Sequence, residues 1–209
     1  MTGFGSILNF RLQKYPKYMS YNIVNNFDSD SCSIVVDGET LKISQNDVHC
    51  VLGFPLGPKS IPFVNSEPLA KEWRRQYSGS EDSSRVVVKD VLAAVRDSTI
   101  VDINFKKNFI SLMICFLVQA PSNSYIRLKL LGLCCELDRC FEYNWCEFVV
   151  NCLKKSNKVW RRNTGTKFYT GSLPFLLLTS YAMDYHSQKH VNKQLVRFPK
   201  LSVMKEVSL

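Results

Sequence analysis

The sequence predicts a mainly α-helical fold, with one multi-helix domain over residues 1–209 and a single small β-hairpin near residues 32–43. Three observations support this prediction. Apolar residues recur every three or four positions along most of the chain, which is the period of one helix face. Only one short stretch combines β-branched residues with a tight-turn dipeptide. No long Gly-, Ser- or Pro-rich linker divides the 209 residues, and this length suits one domain.

The first predicted elements are a helix and the hairpin. The helix covers about residues 15–27, where apolar side chains repeat every four positions. Two β-branched stretches, residues 32–36 and 39–43, then flank Asp37 and Gly38. This dipeptide tolerates the positive φ angles of a two-residue hairpin turn, so the two stretches should pair as antiparallel strands.

A short helix with defined ends is expected after the hairpin. Ser44 is the expected N-cap, and Asp47 lies three residues further on in the capping-box position. Gly53 is the expected C-cap because glycine readily adopts the left-handed conformation that ends many helices. Pro55 prevents the helix from resuming. We interpret these four residues, together with the two hairpin turn residues, as a structural motif.

The rest of the chain is predicted to be helical. The most apolar run, FISLMICFLV at residues 109–118, lies in a helix expected over residues 103–119. The run is about half the length needed to cross a bilayer, and no signal peptide is visible, so we expect an intracellular protein with no membrane association. Other helices are predicted around residues 69–77 and 88–95, over residues 125–137 and 144–155, and from about Ser172 onward.

The eight cysteines show no recognisable catalytic or metal-binding pattern. His49 and Cys50 are adjacent, but successive side chains on a helix diverge by about 100° and cannot form a dyad. The cysteines from residue 134 to residue 152 lack the closely spaced ligand pairs of zinc sites. Reduced thiols that fill space among helices are the expected state. No catalytic residue, metal ligand or cofactor is therefore predicted.

The positive charge of the chain lies in its C-terminal third. The formal net charge is +9, and residues 148–209 hold 11 basic residues against only Asp184 and Glu206. Residues 1–147 hold 16 basic and 16 acidic residues. Such asymmetry favours an acidic partner or a polyanion.

The segment KKSNKVWRRNTGTKFYTG, residues 154–171, is the candidate nucleic-acid site because it interleaves cations with aromatic residues. Cations neutralise phosphates, and aromatic rings stack on unpaired bases. The alternative interpretation is a solvated loop between helices whose aromatic residues turn inward to the core. The candidate binding residues are Lys154, Lys155, Lys158, Trp160, Arg161, Arg162 and Lys167.

Three segments carry a family resemblance. GETLKISQNDVHCVLGFPLGP resembles the pattern of plant mobile domains, the transposon-associated segments also labelled aminotransferase-like. NWCEFVVNCLKKSNKVW and FYTGSLPFLLLTSY are similar to the related N-terminal regions of transposon-derived proteins of the plant ubiquitin-like protease family. The resemblance implies a nuclear protein of mobile-element origin. It implies no chemistry here, because no cysteine-protease domain of that family fits within these 209 residues.

The leading hypothesis is a non-enzymatic nuclear interaction or scaffold domain of transposable-element origin. It would bind other nuclear proteins, with auxiliary nucleic-acid contact through residues 154–171. The alternative is a cysteine-type member of the ubiquitin-like protease family, or a fragment that lacks its catalytic domain. A third hypothesis is a truncated relic of a longer protein.

Overall fold

A computed structural model of the protein describes residues 17–36, 38–61, 67–77, 85–126, 139–162 and 168–188, with the backbone alone at residue 67 and residues 181–188. Within these ranges the chain forms seven α-helices and a three-stranded antiparallel sheet, which confirms the predicted mainly α-helical class. None of these helices is long and apolar enough to cross a membrane. The elements are α1 (Lys17–Asn26), β1 (Phe27–Asp28), β2 (Ser33–Val36), β3 (Glu39–Lys42), α2 (Gln45–Leu52), α3 (Glu67–Arg74), α4 (Val88–Asp97), α5 (Ile103–Met113), a π-helical segment (Ile114–Val118), α6 (Trp145–Arg162) and α7 (Leu173–Gln188).

The predicted hairpin is confirmed, and one short strand extends it. Val36 pairs with Glu39, and Gly38 between them has a φ of 84°. Asp37, the other predicted turn residue, lies outside the described residues. The additional strand β1 pairs Phe27 with Ile34. The predicted first helix ends one residue early for this reason, since Phe27 leaves the helix and enters the sheet with a fully buried side chain.

Both predicted caps of α2 are confirmed. The Ser44 backbone N–H donates to the Asp47 carboxylate at 2.7 Å, and the Asp47 N–H donates to Ser44 Oγ at 3.4 Å. Gly53 ends the helix with a φ of 66°, and its N–H donates to the His49 carbonyl at 2.8 Å. The ends of α2 are thus fixed by residues within or next to the helix itself.

Residues 55–59 form a backbone clasp with residues 142–145, where α6 begins. The Trp145 N–H donates to the Pro55 carbonyl at 3.1 Å, and the Asn144 N–H donates to the Lys59 carbonyl at 2.7 Å. A Cβ on Gly57 would lie 2.1 Å from the Glu142 carbonyl carbon, so only glycine permits this approach. Residues 55–59 therefore do more than stop a helix, because they hold the start of α6.

The largest differences from the predicted boundaries of the later helices are in three places. The helix expected over residues 103–119 changes from α to π geometry at Ile114. Tyr125 forms an extended bridge with Val87, so no helix begins there, and residues 127–137 of the predicted helix lie outside the described residues. The helix expected to end at Lys155 continues to Arg162.

The core lies where α6 and α7 meet the sheet and α2. Trp145 and Leu153 of α6 and Phe175 and Leu176 of α7 are all fully buried. On another side of the core, the Trp73 indole N–H donates to the Asn108 side-chain oxygen at 2.7 Å and so joins α3 to α5. Helix α6 is thus buried along one face and leaves its opposite face to solvent.

Candidate nucleic-acid interface

The C-terminal half of α6 presents a cluster of cations on its solvent face. Lys154, Lys155, Lys158 and Arg162 lie on this face, and we call them the basic α6 surface. Lys154 is partly buried, and the other three side chains are exposed. Residues spaced by three or four share a helix face, so one helical segment of nine residues gathers the four charges. Lys167, also predicted to bind, lies outside the described residues.

Lys158 makes an ion pair that leaves it accessible. Its Nζ lies 2.8 Å from Asp30 Oδ1, and the two side chains are 49% and 81% exposed. Ion pairs this open contribute about 1 kcal/mol or less, and salt screens them. Lys158 can therefore exchange Asp30 for another anion at low cost. The described residues place no ion-pair partner on Lys154, Lys155 or Arg162.

Arg161 has a different role from its neighbours, because it binds the end of α1. Its guanidinium donates to the carbonyls of Asn25 and Phe27 at 2.9 Å each and to the Asn157 side-chain oxygen at 3.0 Å. Asn157 in turn donates to the Val24 carbonyl at 3.2 Å. These bonds satisfy backbone carbonyls where α1 stops. Arg161 thus has an intramolecular role, and the basic α6 surface is defined without it; its predicted contact with nucleic acid stays a prediction.

The aromatic residues of the predicted segment mostly face inward. Trp160 is 5% exposed, and its ring packs edge-on against Tyr21 with centroids 5.9 Å apart. The Tyr169 hydroxyl is buried, and burial raises the pKa of that phenol. Only Phe168 is open, at 53% exposure. The alternative interpretation, inward-facing aromatic residues, therefore describes Trp160 and Tyr169, so neither offers a free ring face for stacking.

Two exposed tyrosines on α1, the helix that Trp160 and Arg161 contact, were not predicted from the sequence. Tyr18 and Tyr21 lie on α1 and are 79% and 54% exposed. Their spacing of three places them on one helix face, but nothing in the sequence placed α1 next to α6. In the structure, the contacts of Trp160 and Arg161 with α1 show that the two helices are neighbours.

A cleft lies along another part of α6. Its volume is about 340 Å³, and Lys155 contributes to its lining. The Ser60 hydroxyl donates to the Glu147 carboxylate at 3.1 Å within it. The lining also includes Ile61, Gln119, Asn144, Phe148, Asn151 and Cys152.

Most of the described thiols serve packing. Five of the six described cysteines are buried, and all six are free thiols. The Cys146 S–H donates to the Phe54 carbonyl at 3.2 Å, and the His49 Nδ1–H donates to the same oxygen at 2.6 Å. Burial raises the pKa of Cys146 to about 12, so the thiol stays protonated at neutral pH. Within the described ranges no three His, Cys, Asp or Glu residues are arranged to hold a metal ion.

Comparison with known families identifies the family of the chain. The family model described as "Domain of unknown function (DUF8566)" matches residues 1–177. The chain belongs to the DUF8566 family. No curated protein and no solved structure gives a significant match.

The DUF8566 match spans the hairpin, the capped helix α2, the clasp, α1 and the whole basic α6 surface. It ends within α7, so the last basic residues of the sequence lie beyond it. The resemblance to plant mobile domains is not tested by these comparisons and stays a prediction.

Proposed function

We propose that this DUF8566 chain is a non-enzymatic nuclear interaction domain of transposable-element origin, with auxiliary nucleic-acid contact through the basic α6 surface. The proposed nucleic-acid contact is supported by one observation: the basic residues of α6 have two different roles. Arg161 supports the fold, while Lys154, Lys155, Lys158 and Arg162 share the solvent face. Nuclear location and mobile-element origin rest on the family resemblance, and the burial of Cys146 with its raised pKa supports a role without catalysis by that thiol.

The surface suits a phosphate backbone better than a single anion. Its cations are spread over nine residues of helix, a length of about 12 Å, so they can meet successive phosphates. Asp28 and Asp30 lie at one border, where Asp28 accepts hydrogen bonds from Ser31 and from the Asp30 N–H. These bonds lower the pKa of Asp28, so the border stays anionic. A bound polyanion would therefore run along α6 and away from the β1–β2 turn.

Salt dependence tests the proposal. We expect a labelled oligonucleotide to bind with a log–log salt slope of about −3 to −4, corresponding to about four neutralised phosphates. The variant that replaces Lys154, Lys155, Lys158 and Arg162 with Gln should lose most of this slope and at least tenfold in affinity at low salt.

The matched control is a variant that removes four positive charges from residues outside the basic α6 surface. It replaces the exposed residues Lys42, Lys71, Arg75 and Lys89 with Gln. Net charge is then equal in both variants, and only position differs. If the control variant loses as much affinity as the α6 variant, long-range attraction explains the binding and the basic α6 surface is not the contact.

The proposed protein partner has a separate candidate surface. Ile100, Val101 and Ile103, in and next to the α4–α5 connection, are 64%, 70% and 50% exposed. Clustered exposed apolar residues favour a protein interface over open solvent. Partners captured from nuclease-treated nuclear extract should be lost from a Val101→Asp variant that still binds oligonucleotide. Partners that nuclease treatment removes would instead be bound through nucleic acid.

A further inference from the structure

The exposed tyrosines of α1 require an explanation that packing does not supply. Tyr18 is the most exposed large hydrophobic residue of the described chain, at 79%, and Tyr21 is 54% exposed. The opposite side of α1 already anchors the helix through Ile23 and Val24, which are 7% and 3% exposed. The Tyr18 ring therefore contributes little to the core, whereas the Tyr21 ring also packs on Trp160.

The helix that carries the tyrosines contacts the helix that carries the basic α6 surface. The Tyr21 ring contacts the Trp160 ring with centroids 5.9 Å apart, and Arg161 joins the C-terminal end of α1 to the last turn of α6. Arg162 follows directly in that turn. The last turn of α6 thus contacts α1 on one side and carries the Arg162 cation on another.

Helix α1 has the charge and polarity of a nucleobase-binding face. It contains no acidic residue, and Lys17 at its start is exposed. Asn22 and Asn25 are exposed on the same side as the tyrosines and offer amide donors and acceptors. Nothing on this helix repels phosphate, and its side chains match the π-faces and edges of bases.

We propose that Tyr18 and Tyr21 stack on unpaired bases, and that the ligand of this surface is single-stranded nucleic acid. This inference rests on the proposed nucleic-acid contact and specifies the class of nucleic acid that is bound. In a duplex the bases already stack on one another, so exposed rings gain nothing from them. In a single strand every base has a free face, and aromatic stacking adds to phosphate binding.

The test compares a labelled 20-nucleotide single strand of mixed sequence with its duplex at one salt concentration. The native chain should bind the single strand more tightly. Each tyrosine-to-alanine change should weaken single-strand binding between about 5-fold and 150-fold and leave duplex binding unchanged. The Tyr18→Phe, Tyr21→Phe variant keeps both rings and should retain single-strand affinity.

Two controls keep the result interpretable. Tyr21 packs on Trp160, so Tyr21→Ala can disturb the fold, whereas Tyr18 is open enough that Tyr18→Ala tests the ring alone. Phe116 and Phe141, each 51% exposed and outside α1 and α6, give matched losses of an exposed ring when replaced with alanine. These two variants should bind like the native chain.

The outcomes separate this inference from the function on which it rests. A preference for the single strand that Tyr18→Ala abolishes supports it. Equal binding of both ligands that the α6 charge variant weakens and Tyr18→Ala does not would overturn the stacking inference alone. Binding of neither ligand, or equal binding of polyglutamate, would overturn the proposed nucleic-acid function and the inference with it.

Discussion

The motif around α2 and the basic α6 surface use their distinctive residues in opposite ways. Around α2 each cap acts on backbone within a few residues of itself, as the bonds between Ser44 and Asp47 show. On α6, adjacent arginines differ, since Arg161 binds α1 while Arg162 faces solvent. Local chemistry therefore fixes a role in the first region, whereas tertiary neighbours fix it in the second.

The largest expected effect is at the clasp, where residues 55–59 after α2 contact backbone that is distant in sequence. Gly57→Ala would place a Cβ 2.1 Å from the Glu142 carbonyl carbon, and backbone at both sides would have to move. We expect a loss of about 3 kcal/mol in the free energy of unfolding, measured by urea denaturation. Gly38→Ala is the control, because its Cβ meets nothing within 4 Å and only its φ of 84° is unfavourable. That variant should lose about 1 kcal/mol.

A second variant pair separates the two arginines. Arg161→Ala removes donors from the Asn25 and Phe27 carbonyls, so we expect a loss of about 1–2 kcal/mol of stability in urea denaturation. Arg162→Ala should change stability by less than about 0.5 kcal/mol and should weaken oligonucleotide binding instead. Equal stability losses would show that the two neighbours do not differ as the structure indicates.

A third variant tests the N-cap of α2 alone. Ser44→Ala removes the side chain that accepts from the Asp47 N–H, and the cap should lose about 1 kcal/mol of stability. Nucleic-acid affinity should be unchanged, because α2 lies outside the basic α6 surface. A tenfold loss of affinity in a folded Ser44→Ala protein would contradict that separation.

The smallest effect concerns the clasp and depends on pH. Hydrogen bonds from Arg139 and Lys59 lower the pKa of Glu142 to about 2. Because the folded pKa lies below the unfolded one, the stabilisation is present above about pH 4.5 and is lost as pH falls toward 2. Thermal midpoints of native protein and Glu142→Gln should therefore converge over that interval. A difference that stays constant from pH 6 to pH 2.5 would argue against the ion pairs.

The sequence predicted the elements whose causes are local. The hairpin turn and both α2 caps follow from residues within a few positions of one another. The extension of α6 past Lys155 was hidden because its buried face continues through polar residues, with Ser156 at 3% and Asn157 at 0% exposure. Asn157 is acceptable there only because it donates to the Val24 carbonyl, a partner 133 residues away in sequence.

The candidate site was predicted only in part, for the same reason. Clustered cations are visible in sequence, and the structure places Lys154, Lys155, Lys158 and Arg162 on one face of α6. The inward orientation of Trp160 and the position of Tyr18 and Tyr21 depend on how α1 packs against α6. No local pattern records that packing.

Asn144 links α2 to the start of α6, the helix that carries the basic surface, through one side chain. Its oxygen accepts from the Glu147 N–H in the first turn of α6, and its amide donates to the Gln45 side chain at the start of α2. Two helices that begin 100 positions apart, at Gln45 and Trp145, are thus anchored by one side-chain amide. In native-state hydrogen exchange, the opening turns of both should exchange together, as one cooperative unit.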